Sequence, residues 1–342
     1  MMKTVRGLKH LIGVIAVTLC SGAFAWGPDG HHTVGAIADS LIAGSHAAQQ
    51  VSTLLGGLSL QQAAVWADCA KGVDPSQGFA YTSAGQFPEC KIFETAAGEA
   101  EMIDFVKRNT NNCARVPGDE PCHEQYHFSD EAIQRDAYHL GDVGTHPFDV
   151  VGALAAVTHV LEGDPAPAPF DIKDPREALL LLSHYVGDIH QPLHVGAVYL
   201  NATGAVVDPD AGTFDPATQT VGANDIITVS GKKKTPGANL HHTWDQIPAN
   251  LKVAKIDAVW LAQAKAVPVT SGTVYDWPAA WATDSLGQAK LAFAGLSFGK
   301  ESQGDWTVAL PPSYAAKMAQ IKRRQLTEGG ARLAQILQAI WP

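Results

Sequence analysis

Apolar residues recur at three- and four-residue spacing in seven stretches, and each predicts an amphipathic helix. They are HHTVGAIADSLI after Gly30, SLQQAAVWADCA from Ser59, AAGEAEMIDFVKRNT from Ala96, FDVVGALAAVTHVLEG from Phe148, DPREALLLLSHYVGDIHQ from Asp174, and the later TWDQIPANLKVAKIDAVWLAQAKAV and SYAAKMAQIKRRQLTEGGARLAQILQAIW. The last is expected to close the fold. Asp174-Pro175 is a start signal, a capping residue followed by proline at the first turn. Val195 to Asn239 breaks the pattern. It is rich in Gly, Pro, Asp and Thr, with β-branched runs such as DIITVSGKKKT, and predicts a small hairpin in a long insertion at about 196–238. Without a repeat or linker, the expected architecture is a mainly α, single domain over residues 26–342.

Residues 1–25 are read as a cleaved signal peptide. Lys3, Arg6 and Lys9 precede the apolar run LIGVIAVTLC, and Ala23 to Ala25 fit a small-residue cleavage site. A lipoprotein reading at Cys20 is weaker, because Leu19 is bulky for that motif. The expected location is secreted or periplasmic, with no membrane association after processing. Cleavage removes three basic residues and no acidic one, so the net charge moves from −10 to −13. That balance argues against non-specific grip on a nucleic-acid backbone by a basic surface. An anionic substrate would need a local positive site, and bound divalent metals are the obvious source.

Four cysteines remain: Cys69, Cys90, Cys113 and Cys122. An even count in an exported chain suggests two disulfides. Cys113 with Cys122 closes a short polar loop and leaves Cys69 with Cys90; free thiols are the alternative, and a four-thiolate zinc site lacks a CxxC spacing.

The chemistry concentrates in HYVGDIHQPLH, His184 to His194. His184 and Asp188, four apart, share one helix face at ligand spacing. Pro192 should bend or end the helix near Gln191 and swing His194 towards the same centre, while His190 falls on another face. Alone, the stretch reads equally as a polar helix face with satisfied histidines. Similar features recur, however: His241 and Asp245 in NLHHTWD, His127 in QYHFSD, Asp68 at the end of an apolar helix in VWADCAK, and His31 in WGPDGHH.

In this order, Trp26-x4-His31, WAD ending at Asp68, His127-Phe128, His184-x3-Asp188-x5-His194 with Gln191-Pro192-Leu193, and His241-x3-Asp245 resemble the zinc-dependent S-one/P-one type nucleases of moulds, plants and bacteria. The resemblance spans Trp26 to Asp245. It implies the helical fold shared by phospholipase C and these nucleases, and three Zn²⁺ per chain. One zinc would take Asp68, His127, His184 and Asp188. A second would take the backbone amine and carbonyl of Trp26, His31 and a bridging Asp188, and the third His194, His241 and Asp245. A zinc-activated hydroxide would cleave RNA and mainly single-stranded DNA to 5′-phosphorylated products, with 3′-nucleotidase activity besides. Asp68 would orient or deprotonate the water, and Lys71 would face the phosphate as a point charge. Phe128 would stack a base, Asp130 and Asn224 would bond its edge, and Val221 would cover its other face. Ala223 departs from the family's two glycines in that loop.

The implied partners are single-stranded nucleic acid and 3′-nucleotides, and a monomer is expected. Two other readings stand beside this one. Zinc phospholipase C shares the fold and the N-terminal Trp, but its usual final ligand is Glu rather than Asp245. A non-catalytic exported zinc-binding protein would explain the histidines but not separate three-ligand sites with vacancies. Asn201-Ala202-Thr203 is a glycosylation sequon that matters only in a eukaryotic secretory host.

Overall fold

A computed structural model describes residues 26–115, 120–230 and 233–342. The expected signal peptide and the hairpin-tip residues 231–232 lie outside the described residues. Among those described, twelve helices run α1 Pro28–Ile42, α2 His46–Leu54, α3 Leu60–Ala63, α4 Trp66–Ala70, α5 Ala96–Asn109, α6 Cys122–Gln125, α7 Val150–Leu161, α8 Pro175–Ile189, α9 Leu240–Asp245, α10 Ala258–Lys265, α11 Trp277–Phe293 and α12 Tyr314–Ile340. The fold is mainly α, as the periodicity predicts.

The centre of the bundle is α8. Its start is fixed as expected: Asp174 caps it by accepting from the Glu177 amide, and Pro175 opens its first turn. Every residue from Glu177 to Ile189 is buried, so the helix is enclosed on all sides by α1, α3, α4, α7 and α12. α12, about 40 Å long at 1.5 Å per residue, packs along α1 and behind α8. Both disulfides expected from the sequence are present, Cys69–Cys90 and Cys113–Cys122, with Cα atoms 5.5 and 5.8 Å apart. No helix among the described residues is long and apolar enough to cross a membrane.

Three expectations about local structure are corrected. The helix predicted from Ser59 is interrupted between α3 and α4, and at that interruption the Ala64 carbonyl accepts from Nδ1 of His184 at 2.6 Å. The helix predicted from Thr243 onward stops at Asp245, because Pro248 cannot donate an amide and disfavours helix at Ile247. Two single 3-10 turns follow, Ala249–Leu251 and Val253–Lys255, and α-helix resumes at Ala258, capped by Asp257. α2 and α11 have no counterpart in the prediction; in α11, Ala, Gly, Ser and Thr dilute the apolar phase.

The insertion holds more than a hairpin. Ile226–Ser230 pairs antiparallel with Lys233–Asn239, as expected, but also parallel with Trp306–Val308. Gly196–Ala197 pairs parallel with Glu131–Ala132, and Tyr199–Leu200 pairs with Val206–Val207. These short ladders fasten the insertion to the segment after Phe128 and to the chain before α12.

Candidate metal centre

Three groups of side chains converge on one end of α8. Within each, the candidate ligand atoms lie within 4.8 Å of one another: His31, Asp68 and His184; His127, His184 and Asp188; His194, His241 and Asp245. All eight side chains that the sequence singled out as metal ligands are therefore gathered. Trp26, the ninth position, is buried beside them, and the Gly27 amide donates to the Asp245 carbonyl at 2.9 Å. That bond ties the start of the described chain to the end of α9.

Asp188 lies at the junction. Its Oδ2 is 2.9 Å from His127 Nδ1 and 3.2 Å from His184 Nε2, while its Oδ1 is 3.4 Å from His31 Nε2. One oxygen faces one set of imidazoles and the other faces the next. Such closeness needs a missing side chain on α8: a Cβ at Gly187 would fall 2.5 Å from His31 Nδ1. The His31 ring also stacks on His184, centroids 3.9 Å apart.

Backbone carbonyls orient three of the imidazoles. Nδ1 of His184 donates to Ala64 O, that of His194 to His127 O at 2.9 Å, and that of His241 to Gly222 O at 2.6 Å. Each leaves Nε2 facing the centre, the arrangement by which outer partners fix the tautomer of metal-binding histidines. His194 and His241 bring their Nε2 atoms to 3.0 Å. Gln191 aims its amide at Asp245 Oδ1 at 2.9 Å and accepts from the Leu193 amide, so the bend before Pro192 also holds a candidate ligand. His190 stays out, as its helical phase predicts: Nδ1 bonds Val186 O, and Nε2 meets Arg332 of α12 at 3.0 Å.

The donor set fits divalent metal. Both ring nitrogens of His31 and one oxygen of Asp188 are buried without a hydrogen-bond partner. Each such group costs roughly 1–3 kcal/mol in a dry interior, and a cation satisfies them together. Burial pushes His31 down to about 4 and His127 down to about 3, so both are neutral and able to ligate near pH 7. Burial would raise Asp68, but Lys71 and the neighbouring imidazoles hold it down to about 2. Burial would likewise lower His184, but Asp188 and Asp68 raise it above its ordinary value.

The predicted base pocket adjoins this centre. Phe128, Asp130, Val221 and Asn224 line one pocket together with Lys71, His127, His194 and His241. Lys71 Nζ lies 3.0 Å from Asp68 Oδ1. Val221, Gly222 and Ala223 all have positive φ (50°, 55° and 70°), a run that β-branched Val and Ala adopt only under strain. Ala223 thus takes the left-handed conformation that glycine would take more easily. The cavity wall also contains Glu120 and Glu124, which the sequence reading missed. Gln191 was noticed only as part of a motif. Lys322, buried behind α9, was missed as well; its signal is a charged residue on the buried phase of α12, beside Ile321 and Gln325.

Comparison with known proteins agrees with this geometry. The family model described as S1/P1 Nuclease matches residues 26–342. Endonuclease 5 of Arabidopsis thaliana is 24% identical over 352 residues, covering 97% of this chain and 96% of the relative. Endonuclease 4 of the same plant is 30% identical over 182 residues, 48% of this chain and 50% of the relative. Nuclease S1 of Aspergillus oryzae is 27% identical over 243 residues, 70% of this chain and 60% of the relative. These matches decide for a nuclease over a phospholipase or a non-catalytic zinc binder, and the family is zinc-dependent in general. The chain belongs to the S1/P1 nuclease family and is a hydrolase that acts as a nuclease.

Proposed function

We propose that the protein is an exported, monomeric endonuclease that uses three Zn²⁺ to cleave RNA and single-stranded DNA to 5′-phosphorylated products, and that it also removes 3′-phosphates from nucleotides. The observation that carries this reading is Asp188, whose two oxygens face separate imidazole sets. Asp68, His127, His184 and Asp188 would hold the first zinc. Trp26, through its amine and carbonyl, would hold the second with His31 and Asp188, and His194, His241 and Asp245 the third. When bound, zinc polarises phosphoryl oxygens and acidifies water.

The chain's own groups do the rest. Asp68, ionised and 3.0 Å from Lys71, orients the attacking water. Lys71 adds a positive charge at the cavity wall, where a phosphate passes. Phe128 stacks a base, a contact worth about 1–3 kcal/mol, and Val221 closes the opposite face. Asp130 reads the base edge with Asn224. Burial, aided by Glu120 and Asp225, pushes Asp130 up to about 7, so near neutral pH it can both donate and accept. Export followed by cleavage before Trp26 is supported by the two disulfides and by a family match that begins at residue 26. The domain so formed would be residues 26–342.

The test is a zinc-replete assay of protein beginning at Trp26 on RNA, single- and double-stranded DNA and 3′-AMP, with product ends identified. Products carrying 5′-phosphate, and phosphate release from 3′-AMP, support the reading. Products carrying 3′-phosphate contradict it.

A further inference from the structure

α9 is too short to hold its own shape. A six-residue helix gains little from its internal hydrogen bonds, yet it must place His241 and Asp245 against His194. Its C-terminal carbonyls are satisfied from outside. The Asp245 carbonyl accepts from Gly27, as described above. The carbonyls on either side, Thr243 O at 2.8 Å and Gln246 O, both accept from the ammonium of Lys322. Lys322 sits on α12, far away in sequence, and is 0% exposed. Its Nζ also lies over the Trp244 ring, 5.6 Å from the centroid.

Burying a lysine is costly unless its charge is met. Burial pushes Lys322 down to about 7; its charged form is met by carbonyl oxygens at a helix C-terminus, where the aligned peptide dipoles favour a cation, and by an aromatic face. The two carbonyls flank Asp245 in sequence, so the ammonium clamps the turn that presents this carboxylate. A leucine or methionine would fill the same space on the buried face of α12 without the charge, but could not bind both carbonyls.

We propose that Lys322 is the positioning residue of the third metal site, fixing the end of α9 so that His241 and Asp245 converge with His194. This rests on the proposed reading that those three side chains take a metal.

The test compares wild type and Lys322→Met, both beginning at Trp26, by zinc content per chain after equilibration at fixed free zinc and by the zinc dependence of activity. The wild type is expected to hold three zinc. Lys322→Met is expected to hold two and to need roughly 10–100-fold more zinc for activity, the usual cost of losing an outer-shell partner. Recovery at high zinc separates positioning from general damage, which added metal would not repair. Three zinc with unshifted affinity in Lys322→Met would overturn the proposal alone, whereas fewer than three in the wild type would overturn the trinuclear reading and this inference with it. If Lys322→Met does not fold, Lys322→Gln, which keeps a donor, carries the same comparison. Failure of both to fold where metal-free wild type folds would contradict a local role.

Discussion

On α8, Asp188 faces His31, His127 and His184; on α9, Asp245 meets His241 and the Gln191 amide. Both pairs share the His-x3-Asp spacing, and both carboxylates are buried. Their ionisation goes opposite ways. Burial would raise Asp188, but His184 and His127 outweigh it and hold Asp188 well below the ordinary carboxylate range. Burial pushes Asp245 well above that range, with Gln191 and Lys322 only partly opposing. The centre around Asp188 therefore carries ionised carboxylates before any metal arrives. At the site around Asp245 the carboxyl is harder to ionise than usual, and burial and His194 push His241 down to about 3. One spacing thus yields a carboxylate on α8 whose ionised form the neighbouring imidazoles favour and one on α9 whose neutral form burial favours.

The sharpest break in this comparison is Asp188→Asn. Removing the carboxylate that the proposed reading assigns to two sites should lose two metals and lower kcat/KM by at least about 10³-fold, as expected when several kcal/mol of metal-derived stabilisation are lost. Asp245→Asn should lose one metal and leave two, which zinc analysis of both variants distinguishes. A chain with one additional residue before Trp26 should lose the second zinc and most activity, because the α-amine ligates only when free and neutral. Intact mass spectrometry paired with activity checks this.

Gln191→Leu should weaken only the third site, by roughly 10–100-fold in zinc affinity, read by competition with a chelator. The pH dependence follows from the sign of the Asp245 shift. A raised carboxyl keeps its proton to higher pH in the metal-free protein, and zinc competes with that proton, so affinity at the third site should rise with pH. Zinc released by acid titration should come from that site first. The effect expected for Phe128→Leu spares the metals. It should leave zinc content unchanged and reduce kcat/KM on single strands by roughly 5–150-fold, the loss of about 1–3 kcal/mol of stacking.

Two His–Asp pairs were legible in helical phase, because His184 with Asp188 and His241 with Asp245 each lie within one turn, whereas the full candidate ligand set, with His31, Asp68 and His127, came from the family resemblance. Helical phase is why His184 and Asp188, 3.2 Å apart in the structure, could be placed on one face and His190 set aside. The bend before Pro192 was legible for the same local reason. Lys322 and Gln191 were not, since their partners are carbonyls and a carboxylate on distant elements and no spacing records such a contact. The interruption at Ala64 was equally hidden: the apolar phase from Ser59 to Ala70 continues across it, and only the tertiary contact with His184 Nδ1 shows what the carbonyl there does. In the insertion, β-branched runs revealed one hairpin, but its parallel pairing with Trp306–Val308 joins segments nearly eighty residues apart.

The central claim is one carboxylate bridging two metals beside a separate third. Zinc per chain, measured on purified protein beginning at Trp26, tests it most directly. The account predicts three for the wild type, one for Asp188→Asn and two for Asp245→Asn. Equal losses in the two variants, or a wild type holding two or fewer, would contradict it.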